Sequence, residues 1–78
     1  MGVKQKLDEV NNSILSGNIK RLRLKRKLLQ REVASSIGIN TLIISFYENN
    51  KPPQSLVSLL KLTKALDCSL ETLLKNIK

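Results

Sequence analysis

Residues 30–48 read Gln30-Arg-Glu-Val-Ala-Ser-Ser-Ile-Gly-Ile-Asn-Thr-Leu-Ile-Ile-Ser-Phe-Tyr-Glu48, and their apolar spacing describes two short amphipathic helices joined by a tight turn. Val33, Ala34 and Ile37 fall at i, i+1 and i+4 on one helical face, and Ile44, Tyr47 and Glu48 resume helical spacing after Asn40. Between them Gly38 supplies the positive φ that ends the first helix, and Ala34 is small where the second helix must come close. Asn40 is placed to cap the second helix, its side-chain oxygen accepting a free N–H one turn on.

Working outward, Val3, Leu7, Val10 and Ile14 recur at intervals of 4, 3 and 4, a stripe on a short N-terminal helix that Gly17 is expected to end. A first domain helix is expected from about Asn18 to Lys27, with Ile19 and Leu22 facing inward. After the central pair, residues 49–54 form the clearest loop, because Pro52 and Pro53 cannot extend a helix. Ser55 caps a further helix with Leu56, Leu59, Leu60, Leu62 and Leu66 on a broad apolar face, and Ser69 caps a last one carrying Leu70, Leu73, Leu74 and Ile77. No strand alternation occurs, so the fold reads as all-α: five helices in a compact domain over 18–78, with 1–17 as a helical extension.

A chain of 78 residues holds one domain and buries roughly 60–65% of its unfolded surface. Fifteen leucines and seven isoleucines within 41% apolar content suit helices around one small core. The single cysteine, Cys68, makes no internal disulfide, and the absence of histidine removes Cys/His metal sites. Cys68 therefore reads as a small apolar residue at a helix corner. Six scattered carboxylates and no Gly-rich phosphate loop assemble no catalytic constellation, cofactor site or small-molecule substrate site, so the chain is not expected to be an enzyme. With no apolar run long enough for a bilayer and no secretory leader pattern, a cytoplasmic location is expected.

Fourteen cations against six anions give a net charge of +8, and the excess is localised. Lys20, Arg21, Arg23, Lys25, Arg26, Lys27 and Arg31 put seven positive charges into twelve residues with no carboxylate among them, a field that attracts a polyanion.

These patterns together resemble the Cro/repressor (Xre-like) helix-turn-helix family of phage and bacterial transcriptional regulators, over about seven-tenths of the chain. Ile19-Lys20-Arg21-Leu22-Arg23 is similar to the first-helix signature of that family; Gln30, Val33, Ala34, Ile37, Gly38 and Ile39 to its second helix and turn; and Ile44, Tyr47, Glu48 and Asn49 to the end of its recognition helix. Leu59, Leu60, Leu62, Ala65 and Leu66, followed by Ser69 and Leu70, resemble its closing helices. The resemblance implies a compact lambda-repressor-like domain that binds double-stranded DNA. It implies base contacts from Thr41, Leu42, Ile43, Ser45 and Phe46, and phosphate contacts from Gln30, Asn40, Asn49 and Lys51. Arg23 and Glu48 match a buried ion pair of the family, and Asn50 stands where the family usually has glycine.

The departure lies in the reading helix. The family often carries Gln, Arg, Ser or Asn there, whereas Leu42, Ile43 and Phe46 are apolar and suited to a thymine methyl. The same surface would also fit a regulatory protein partner, as in an anti-repressor or adaptor. A homodimer is expected, either through the helix bearing Leu70, Leu73, Leu74 and Ile77 or through the Val3/Leu7/Val10/Ile14 stripe.

Overall fold

A computed structural model describes the backbone of residues 2–78 and the surroundings of side chains from Asp8 onward. It contains α1 (Gly2–Lys25), α2 (Gln30–Ser36), α3 (Thr41–Tyr47), α4 (Leu56–Ala65) and α5 (Leu70–Leu73), with no strand among the described residues. Leu15, Ile19 and Leu22 of α1 meet Val33 and Ala34 of α2, Ile44 of α3, Leu62 and Leu66 of α4 and Leu73 of α5 in one core. The helical caps lie where their chemistry places them. Asn40 Oδ1 accepts from Leu42 N–H at 2.8 Å, Ser55 Oγ from Ser58 N–H at 3.1 Å and Ser69 Oγ from Thr72 N–H at 3.1 Å. Leu29 has no side-chain acceptor, and there Glu32 reaches back to accept the Leu29 N–H at 2.8 Å.

The first departure from the sequence expectation is at Gly17, which does not end a helix: α1 runs through it as one rod. Its neighbours decide this, because Leu15, Ser16, Asn18 and Ile19 are all buried and hold the helix in register, outweighing the roughly 0.5–1 kcal/mol that a mid-helix glycine costs. Asn18, expected at the start of a helix, instead sits inside one. Its Nδ2 donates to the Leu73 and Lys75 carbonyls, both at 2.9 Å, satisfying the carboxyl end of α5. Val3 and Leu7 of the N-terminal stripe have side chains outside the described residues, Ile14 is half-buried, and Val10 is exposed.

Asn18 is one of several polar groups along α1 that tie down the other elements. Asn11 forms a reciprocal pair with the Lys78 backbone (3.0 and 3.2 Å), and Ser16 Oγ accepts the Asn50 N–H at 3.0 Å. Arg26 donates from Nε to the Leu66 carbonyl (3.2 Å) and from Nη2 to the Asp67 carbonyl (2.6 Å), covering the end of α4. Its approach to the Asp67 carboxylate, 3.8 Å and largely in solvent, adds little beside those bonds.

Each of the five helices is followed by a left-handed residue: Lys27 (φ 58°), Gly38 (71°), Asn50 (65°), Asp67 (51°) and Asn76 (70°). After α1, the Leu28 N–H reaches the Arg23 carbonyl and the Lys27 N–H the Leu24 carbonyl; α2 and α4 close in the same two-bond pattern. After α3 the outer bond, from the Lys51 N–H to the Phe46 carbonyl, is kept, but the Asn50 N–H turns to Ser16 instead.

An added Cβ would meet open space at both Gly17 and Gly38, so backbone conformation alone sets the sign of substitution. Gly17→Ala is expected to stabilise by about 0.4–1 kcal/mol and Gly38→Ala to destabilise by about 1 kcal/mol, since only the latter is held at positive φ. Thermal unfolding should therefore move in opposite directions for the two variants, by a few degrees each.

Candidate nucleic-acid interface

α3 has Ile44, fully buried, on its inner face, packed with Val33 and Ala34 of α2 in the shared core. Its opposite face leaves Leu42 59%, Ile43 36% and Phe46 46% exposed, with Thr41 exposed and Ser45 half-buried beside them. The five residues expected to face bases therefore share one outward surface of a seven-residue helix. Lys51 returns to the same surface from the following loop, its Nζ standing 5.6 Å from the centre of the Phe46 ring.

The orientation of α3 is fixed at its carboxyl end. Glu48 accepts from Arg23 Nε at 2.6 Å and Nη2 at 3.0 Å, a two-pronged pair in which both residues are 8% exposed. Arg23 Nη1 donates to the Leu28 carbonyl at 2.8 Å, and Gln30 Nε2 donates to Glu48 Oε1 at 3.1 Å. One carboxylate thus joins the end of α1, the start of α2 and the end of α3. Among the described residues no buried side-chain polar atom lacks a hydrogen-bond partner, so the enclosed charges are fully satisfied.

The amides expected at phosphates are partly committed inside the protein. Gln30 spends one N–H on Glu48, Asn49 Nδ2 donates to the Ser45 carbonyl at 2.6 Å, and Asn40 gives its oxygen to the Leu42 N–H. Each primary amide carries two N–H donors, so Gln30 and Asn49 keep one free proton apiece and Asn40 keeps both.

The apolar surface expected for pairing with a second copy needs correction. Leu73 is fully buried in the core, which removes it from any contact surface, while Leu70, Leu74 and Ile77 are half-buried against that core. The helix is short, four residues, so it turns its apolar side inward rather than presenting a stripe. Among the described residues outside α3, the exposed large apolar side chains are Val10 and Leu24 of α1, Leu29 before α2, and Leu56 (61%), Val57 (62%) and Leu60 (42%) of α4, the last three facing away from the buried Leu62 and Leu66. Leu56 and Leu60 thus leave the core-facing stripe that spacing alone assigns to them.

Cys68 is half-buried just beyond α4, where burial pushes its thiol above the usual range more than the nearby Arg26 charge lowers it. Among the described residues no helix is long and apolar enough to cross a membrane, and no acidic or cysteine cluster suited to a metal occurs.

Removing either half of the enclosed pair strands the other. Glu48→Ala or Arg23→Ala should each cost roughly 3–5 kcal/mol in urea unfolding, whereas the double variant Arg23→Met/Glu48→Leu should cost much less than the sum. Additive losses would show that the two side chains act independently.

The helix-turn-helix family model matches residues 19–73, from the inner half of α1 to the end of α5. No curated protein sequence matches the chain closely enough to count as a relative. Among solved structures, the restriction-modification controller protein C.AhdI from Aeromonas hydrophila is similar, with 26% identity, 82% of this chain and 97% of that one covered, and a TM-score of 0.76. A mutant of the restriction-modification controller protein C.Esp1396I is similar at 30% identity over 85% of this chain and 89% of that one, with a TM-score of 0.72. The hypothetical transcription factor NHTF from Neisseria, at 23% identity, 82% and 74% coverage and a TM-score of 0.75, shares the fold. With a family match over more than half of its length and its helices in the same arrangement, the chain belongs to the Cro/repressor (Xre-like) helix-turn-helix family of DNA-binding regulators.

Proposed function

We propose that the protein is a sequence-specific transcriptional regulator, acting as a repressor, that binds duplex DNA as a homodimer. In this reading residues 18–78 are the DNA-binding domain and residues 1–17 an N-terminal extension of it. The observation that carries the proposal is the exposed outer face of α3, held by the Glu48 carboxylate and bordered by Lys51, with the exposed Lys20, Arg21 and Lys25 on α1 and Arg31 on α2, the helices that Glu48 joins to it. α3 enters the major groove with Thr41, Leu42, Ile43, Ser45 and Phe46 toward the bases. Lys51 and the remaining amide protons of Gln30, Asn40 and Asn49 engage phosphates, fixing register without reading sequence.

The two controller proteins support a regulatory role, since both are so described and share the fold over most of their length. Pairing of two copies would place two reading helices on half-sites about one helical turn, ~34 Å, apart. The exposed Leu56, Val57 and Leu60 of α4 offer apolar surface for that pairing, as does Val10 of the N-terminal stripe.

Fluorescence anisotropy of labelled duplexes across a salt series tests this reading. Affinity should fall steeply as salt rises, with a log–log slope of about −0.9 for each phosphate engaged, and two subunits should bind per specific duplex. Lys51→Gln should weaken binding to all sequences alike and flatten the slope by about one unit. An absence of duplex binding in dilute salt would contradict the proposal and favour a protein partner for the same face.

A further inference from the structure

The interior commitments of the amides determine what α3 can recognise. Reading adenine requires an Asn or Gln that presents a donor and an acceptor together, and reading guanine calls for a guanidinium or ammonium directed at O6 and N7. α3 carries no cation and no amide of its own. The amides bordering it, Asn40 and Asn49, are each tied to the α3 backbone, at 2.8 and 2.6 Å. The nearest cation, Lys51, lies against the Phe46 ring at the edge of the face. The hydroxyls of Thr41 and Ser45 both donate and accept, so they discriminate little between base pairs.

What remains on this surface is an apolar set, Leu42, Ile43 and Phe46, exposed at i, i+1 and i+4. In the major groove the apolar feature of an unmodified base pair is the C5-methyl of thymine. Packing Leu42 or Phe46 on that methyl removes apolar surface from water on both sides, whereas packing either on a guanine or cytosine edge leaves the base's polar atoms without partners. Charge complementarity selects nucleic acid over an apolar protein partner as the occupant: Glu48 is enclosed by its ion pair, Lys51 marks the rim, and the exposed Lys20, Arg21 and Lys25 of α1 and Arg31 of α2 lie on the helices that the Glu48 carboxylate joins to α3.

Resting on the DNA-binding reading above, we propose that α3 selects its site by pyrimidine 5-methyl groups, so that Leu42, Ile43 and Phe46 are its specificity-determining residues. The preferred sites are rich in thymine at the steps that face them, and 5-methylcytosine, which carries its methyl at the same place in the groove, is tolerated there better than cytosine.

The test uses the wild-type protein and a duplex selected by it from a random pool, synthesised once with thymidine and once with deoxyuridine, which differs only by the missing methyl. Affinity for the selected duplex should fall about three- to fourfold for each contacted methyl removed, tenfold or more over a half-site, while binding to a scrambled duplex should be unchanged by the same replacement. Leu42→Ala, at an exposed position where folding is spared, should shrink the thymidine-to-deoxyuridine ratio. Equal affinity for the two selected duplexes, with preference over the scrambled duplex intact, overturns the methyl proposal and leaves the DNA-binding reading standing. Failure to bind any duplex in dilute salt overturns both.

Discussion

The Glu48 carboxylate is the junction on which the placement of α3 depends. Its two oxygens take three hydrogen bonds, from Arg23 Nε, Arg23 Nη2 and Gln30 Nε2, while the third arm of the same guanidinium holds the Leu28 carbonyl. Helices of seven residues have too few internal hydrogen bonds to be stable alone, so α2 and α3 take their stability and mutual angle from what they are fastened to. Ile44, Val33 and Ala34 supply the apolar half of that fastening. The ion pair supplies the directional half: a hydrophobic contact tolerates rotation of α3 about its axis, whereas a two-pronged guanidinium–carboxylate pair does not.

α1 extends the same logic along its length. Asn11, Ser16, Asn18 and Arg23 of α1, with Arg26 in the turn just beyond it, reach the backbone of the C-terminal segment, the loop after α3, the end of α5, the loop before α2 and the end of α4. Helix ends carry carbonyls that no helical N–H can reach, and in a small domain these ends lie near the core where water is scarce. Side chains from a neighbouring helix meet that demand here, and in doing so they define where each short helix stops.

Much of this was legible in the sequence because the signals were local. Asn40, Ser55 and Ser69 have cap chemistry, Gly38 has the φ freedom a turn requires, and the spacing of Val33, Ala34 and Ile44 fixes the inner faces of α2 and α3. Resemblance to the family pointed to Arg23 and Glu48, which lie 25 positions apart and carry no local signal of pairing. What could not be read was set by tertiary contacts. Lys27 and Asp67 take left-handed conformations without being glycine, because the carbonyls of the preceding turn need their donors. Gly17 continues a helix because buried neighbours hold it. Leu73 and Leu56 illustrate the remaining gap: periodicity marks an apolar face but not which edge of it meets the core, and so the C-terminal leucines proved inward and those of early α4 outward. A sign of the polar role of α1 was present in Asn11 and Asn18, which alternate with Leu15 and Leu22 at helical spacing on the buried side of the rod.

The central claim is that the apolar outer face of α3 lies in a DNA groove. Intermolecular nuclear Overhauser effects in a complex with the selected duplex measure this most directly. The account predicts contacts from the methyl groups of Leu42 and Ile43 and the ring of Phe46 to thymine 5-methyl protons, with the buried Ile44 silent. Contacts confined to other faces of the molecule, with the α3 side chains unperturbed by DNA, would contradict it.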